Sequence, residues 1–186
     1  MDHDSTQTDW TDLFLLGTVL FPGARMALRV FEPRYLDMVS RSLRSHQPFA
    51  ICLHQADGEN APEKVATLAK IRDWGSQNGM LFIQVEGGNR CSVVEWRERA
   101  GIATARLCPW EEEPQLPMET RHAWMKPVLA ELAGDTPAGS LDATTAGMLL
   151  AQALTVPVAE KLKLLLLQDP LERLDHIARL LCQSGQ

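Results

Sequence analysis

The stretch LFLLGTVLFPGARMALRVFEPRY, Leu13–Tyr35, decides how this chain is read. Leu13–Leu16 is a short apolar run that Gly17 stops. Val19–Phe21 leads into Pro22-Gly23, a strong turn pair. Met26–Phe31 then alternates, with Met26, Leu28 and Val30 set against Ala27, Arg29 and Phe31, which is the period of a half-buried strand. Glu32-Pro33 opens a helix, because proline at the first helical position lacks only an N–H that would be unpaired there anyway. Tyr35, Val39 and Leu43 recur on one stripe with Leu36 beside them. Arg34, Asp37, Arg41 and Arg44 fall mostly off that stripe, as an amphipathic helix requires.

Outward from this stretch, the helix is expected to stop before Ser45-His46-Gln47-Pro48. Phe49–Leu53 reads as a buried strand and Ala56–Glu63 as a loop. Val65–Trp74, Met80–Val85, Cys91–Trp96 and Ile102–Leu107 read as further strands. Gly75–Gly79 is expected to be a polar turn, and Gly87-Gly88-Asn89 a tight hairpin turn in which glycine makes positive φ cheap. Many short strands at close spacing predict a curved, barrel-like sheet.

The character changes at PWEEEPQLP, residues 109–117, which is acidic and proline-rich. After it come helical patterns. Thr120–Leu132 carries Trp124, Val128, Leu129 and Leu132 on one side, with a kink expected at Pro127. A loop at Gly134–Gly139 precedes helices at Leu141–Leu154 and Pro157–Gln168. Asp169-Pro170-Leu171-Glu172 has the order of an N-cap, a proline at N1 and a glutamate at N3, and starts a last helix buried through Leu174, Ile177, Ala178 and Leu181. The expected organisation is α+β. Residues 1–12 are a flexible lead-in, 13–110 a β unit with one inserted helix, 111–117 a linker, and 118–186 a helical bundle.

The 186 residues are 45% hydrophobic and 23% charged, ordinary for a globular protein. The apolar runs Leu164–Leu167 and Ala146–Leu154 fall far short of the ~20 residues of a membrane helix. The first residues, MDHDSTQTDWTD, have no basic region and no apolar core, so they are not a secretory signal, and a cytoplasmic location is expected. The net charge is −6. Residues 13–110 carry 12 Lys/Arg against 9 Asp/Glu, and residues 111–186 carry 6 against 11. That mild excess in the β unit is not the clustered basic footprint of a nucleic-acid binder.

No residue set makes an active site. There is no P-loop, no G-x-S-x-G elbow and no H-E-x-x-H. Cys52, Cys91, Cys108 and Cys182 are widely spaced, without zinc spacing to a histidine, and are expected to be reduced and mostly buried. Cys52 and His54 share a strand face in principle, as a nucleophile and base would, but nothing in the sequence orients them. Glu111-Glu112-Glu113 reads as a solvated linker before a metal site, since divalent ions need ligands from a fixed frame. Lys161 and Lys163 read as surface lysines with snorkelling stems. The five tryptophans, Trp10, Trp74, Trp96, Trp110 and Trp124, read mostly as covers for core edges, with room for some to line a pocket. Catalytic, cofactor-binding and metal residues are therefore expected to be none, and the binding residues stay unassigned.

The same opening stretch resembles the Lon N-terminal domain family, whose stand-alone members carry a pattern like L-P-L-x-x-V-L-F-P-G-x-x-L-P-L-x-I-F-E-P-R-Y. Leu16, Val19, Leu20, Phe21, Pro22 and Gly23 match its first part; Leu28, Val30, Phe31, Glu32, Pro33, Arg34 and Tyr35 match its second. KVATLAKI (64–71), LFIQVEGGNR (81–90) and EKLKLLLLQDPLERLDHIARLL (160–181) resemble later blocks of the family. Gly17, Ala27 and Ala66 depart from it, and residues 118–154 match in character only. The resemblance implies a PUA-like curved β unit followed by a helical bundle. It also implies a non-catalytic module that binds protein or unfolded polypeptide, the ATPase and protease parts of Lon having no counterpart in these residues. An RNA-binding PUA-like module and a small-molecule adaptor are the alternatives it leaves open.

Overall fold

A computed structural model describes residues 10–54, 61–133 and 140–184. Most of the loop expected at Ala56–Glu63, the loop at Gly134–Gly139 and residues 1–9 of the lead-in lie outside the described residues. Six strands come first: β1 (Thr11–Leu16), β2 (Arg25–Val30), β3 (Phe49–His54), β4 (Pro62–Gln77), β5 (Met80–Arg99) and β6 (Ile102–Pro109), with helix α1 (Pro33–Ser45) between β2 and β3. A 3-10 helix, Thr120–Met125, leads into α2 (Lys126–Leu132), α3 (Ala143–Ala153), α4 (Val158–Leu166) and α5 (Pro170–Ser184).

The sheet runs β2-β5-β4-β3-β1-β6, and β6 pairs with β5 as well, so five strands close on themselves and β2 hangs on the outside edge. β1 and β3 are parallel, Leu13 facing Ala50; the other pairs are antiparallel. The alternation expected for Met26–Phe31 is present: Arg25, Ala27 and Arg29 face out while Met26, Leu28 and Val30 turn inward. α1 begins at Pro33 and ends at Ser45, with His46 in the left-handed conformation as its stop. Tyr35 and Val39 are buried as expected, Phe14 stacks on Tyr35 at 4.1 Å, and Met38 joins them.

Two sequence expectations need correction. The polar turn at 75–79 contracts to Asn78-Gly79, both at positive φ (53° and 75°), because a two-residue hairpin loop of this kind matches the twist of its strands. Gly87-Gly88-Asn89 is no turn at all. It lies inside the 20-residue strand β5, and neither glycine has positive φ. Gly87 is there for close approach: a Cβ would come within 2.2 Å of the Phe21 carbonyl oxygen. Its N–H donates to Ala24 O (2.9 Å) and its carbonyl accepts from Gly23 N–H (2.8 Å), so the Pro22-Gly23 turn is pinned flat against β5.

Where a kink is expected at Pro127 within one helix, the segment instead divides before it, into the 3-10 helix Thr120–Met125 and α2, with Pro127 in the first turn of α2. α5 starts as its sequence demands: Asp169 Oδ1 accepts from Leu171 N–H (2.8 Å) and Glu172 N–H (3.1 Å). Alternate side chains of the sheet feed two apolar clusters. One is small, built on Leu13, Ala50, Cys52, Ala66, Ala103 and Ala105. The other extends from Phe14, Phe49 and Val85 through Met125, Leu129 and Leu150 to Leu174 and Ile177, so sheet and helices share it.

A buried ionic knot ties the two regions together. Arg90 of β5 and Arg173 of α5 both bond to Glu113, which comes from the extended segment after β6. Arg173 is 0% exposed, and the side chains of Arg90 and Glu113 are 4% and 5% exposed. Further guanidinium hydrogens go to the carbonyls that close α4: Arg90 Nη1 to Leu165 O (2.6 Å) and Leu167 O (2.7 Å), and Arg173 Nε to Leu164 O (3.1 Å). A helix C-terminus carries partial negative charge, which suits two cations sharing one carboxylate. Trp110 lies under Arg90 at 4.6 Å, and its indole N–H donates to Ser92 Oγ (2.7 Å). The acidic run is therefore solvated only at Glu111 and Glu112.

Candidate functional site: an apolar groove on the helical side

None of the catalytic pairs considered from the sequence forms a site. Cys52 is buried; its thiol donates to Val65 O (3.3 Å) and Glu63 O (3.4 Å), and burial pushes its pKa up to about 12. A thiol held protonated is no nucleophile. His54 sits beyond a register shift after Cys52 and faces solvent. Lys161 departs from the surface lysine expected: its ammonium donates to Gln152 O (2.7 Å) near the end of α3, and burial lowers its pKa. Lys163 is exposed and pairs with Glu160 (2.6 Å). Among the described residues, no group of three or more His, Cys, Asp or Glu side chains could hold a metal ion. Cys52 and Cys91 are buried, whereas Cys108 and Cys182 are exposed, so burial covers only half of the cysteines.

The surface that stands out is apolar. Trp124, Met125 and Val128 line a trough with Leu150, Leu154 and Leu181, where the start of α2 crosses the ends of α3 and α5. Its volume is about 220 Å³, and Thr155 is the one polar residue among those lining it. Met125 is buried and forms the floor, while Trp124 is 50% and Val128 49% exposed and form the walls. The sequence placed Trp124, Val128 and Leu132 on the buried side of one helix. The chain instead breaks between Met125 and Lys126, so Met125 and Leu129 take the core and the others stay at the surface.

Through Leu132 and Ala153 the trough runs into a wider cleft of about 810 Å³. That cleft reaches Gly23 and Ala24, with Gln152 on its helical wall. Gln152 Oε1 accepts the Phe21 N–H (3.0 Å), fixing the Pro22-Gly23 turn to α3. At the far rim Glu86 bridges Arg72 (2.6 Å) and Arg25 (3.6 Å). The bond to Arg72 holds the Glu86 carboxyl below the usual carboxylate range, so the rim stays ionised. The result is an apolar floor ending in a charged, solvated rim, the anatomy of a surface that accepts apolar side chains of another chain. A second hollow beside the extended segment sets Glu111, Glu112 and Asp142 around Trp110 and Met148.

Residues 12–183 match the ATP-dependent protease La (LON) substrate-binding domain family. The structure of the Lon N-terminal domain protein from Xanthomonas campestris superposes with a TM-score of 0.78 at 31% identity, covering 92% of this chain and 98% of that one. The N-terminal domain of the Mycobacterium avium complex Lon protease shares the fold, with a TM-score of 0.67 at 15% identity over 91% of this chain and 96% of that one. No curated protein sequence matches. Among the described residues no helix is long and apolar enough to cross a membrane. The match spans nearly the whole chain, the fold agrees with it, and the chain belongs to the Lon substrate-binding domain family, a non-catalytic domain.

Proposed function

We propose that this domain holds unfolded polypeptide by seating apolar side chains in the trough between Trp124, Val128 and Leu181. The observation that carries the reading is the pair of half-exposed walls, Trp124 and Val128, above a floor that is already fully buried. Burying such walls on binding releases apolar surface from water at roughly 25 cal/mol per Å², and an indole is the residue type that most often dominates such contacts. The wider cleft toward Gly23 gives the bound chain a path, and the Arg25–Glu86–Arg72 rim gives its backbone polar neighbours. The family's description as substrate-binding supports the same reading.

The test is fluorescence anisotropy with a reduced, carboxymethylated polypeptide that cannot fold. Wild type should bind saturably. Trp124→Ala combined with Val128→Ser should weaken binding about tenfold or more, as loss of an aromatic anchor does. Both residues are half-exposed, so the variant should keep its circular dichroism and unfolding midpoint. Unchanged affinity in a folded variant, or no binding by wild type, would overturn the assignment.

A further inference from the structure

A different cleft lies at one end of the closed barrel, away from the apolar groove. It has a volume of about 330 Å³ and is bounded by Trp10, Asp12, Arg41, Arg97, Arg99 and Thr104, with Ile102 below. Four elements meet there: the start of β1, the end of β5, the start of β6, and α1. The β5–β6 hairpin turns through Ala100 and Gly101, both at positive φ, and Arg34 Nη1 ties the turn to α1 by donating to Gly101 O (3.0 Å). The frame is therefore fixed from two sides.

Its charge is unbalanced. Arg41 bonds Asp12 at 2.7 Å, which neutralises the one carboxylate lining the cleft among the described residues. The Arg97 guanidinium lies over the Trp10 ring at 3.8 Å, yet it has no ion-pair partner among the described residues. Arg99 likewise has none. Among the described residues, two arginines without an ion-pair partner thus line one concave surface of a chain whose net charge is −6. A single carboxylate would satisfy one planar fork. A phosphate monoester, with charge near −2 at neutral pH and three acceptor oxygens, can satisfy two. Of the remaining walls, Trp10, Ala100 and Ile102 are apolar, and the Thr104 hydroxyl is spent on the Arg97 carbonyl (3.3 Å). The overall negative charge disfavours a long polyanion, and a cleft of this size suits a small molecule.

We propose that this barrel-end cleft binds a small phosphate monoester carried on a compact apolar body, with Arg97 and Arg99 taking the phosphate and Trp10 and Ile102 contacting the body. The experiment is NMR titration of the full chain with phenyl phosphate at constant ionic strength, following the Trp10 indole N–H. A saturable shift is expected. Arg97→Gln with Arg99→Gln should weaken it about tenfold or more, since each removes a charge-assisted bond. Arg29→Gln with Arg179→Gln, the same charge change at exposed positions on β2 and α5, should leave it unchanged. Benzoate and methyl phosphate should each bind more weakly than phenyl phosphate. Equal weakening by both double variants would reduce the effect to net charge and overturn the site. Methyl phosphate binding as tightly as phenyl phosphate would overturn the apolar half. A wild-type Trp10 signal that does not move would overturn the whole proposal.

Discussion

Glu113 balances Arg90 and Arg173, two guanidinium groups out of contact with water. Removing that carboxylate leaves both cations buried against only carbonyl dipoles. Breaking a buried pair by deleting one partner costs about 3–5 kcal/mol, more than the pair adds over an apolar substitute. Glu113→Gln is expected to cost that much in urea unfolding, while Glu112→Gln, one residue away and exposed, should stay within about 0.5 kcal/mol. A second carboxyl responds to pH. Asp175 is held below its ordinary range by its bond from His122 (2.8 Å) and then by the charge of Arg121. A folded-state value below the unfolded one stabilises at pH above the unfolded value, about 3.9, and that contribution is lost as pH falls through the folded value. Asp175→Asn should therefore flatten the acid limb of a plot of unfolding midpoint against pH below about 4.

At the scale of the element, signals that act within a few residues were readable in the sequence. Pro33 at the start of α1, Asp169 before Pro170 and the alternation of β2 all act through backbone geometry local to them. Gly87 was misread because its reason is not local: it yields room to Phe21, which is sixty-six positions earlier in the chain. Pairs of glycines in sequence suggest turns, and only the fold reveals that one of them is a seat for the carbonyl that precedes the Pro22-Gly23 turn. Gly87→Ala tests this. A turn would tolerate alanine at a modest loss, whereas a Cβ at 2.2 Å from a backbone oxygen forces the two segments apart. The expected cost is on the order of 3 kcal/mol, read from the denaturant midpoint. The groove escaped the sequence for a related reason. Trp124, Val128 and Leu132 have the spacing of a buried stripe, and the break before Lys126 decides which of them the core receives.

For the whole molecule, the sequence carried the family and the order of strands and helices, because those follow from patterning over many residues. It did not carry the knot at Glu113, whose partners are 23 and 60 positions away, nor either cleft, since each is assembled from elements distant in the chain. The shared apolar cluster from Phe14 to Ile177 means that the walls of the groove rest on the same core as the barrel. The closed sheet has a further consequence for how the protein is made. Thr11 pairs with Ala105, so β1 must wait for a partner synthesised roughly ninety residues later, which at translation speeds of about 5–20 residues per second is several seconds or more. During that interval the Thr11–Asp12 edge of the apolar strand β1 is unpaired on the nascent chain. On the ribosome this domain thus passes through a stage in which it displays the apolar strand edge of an unfolded polypeptide.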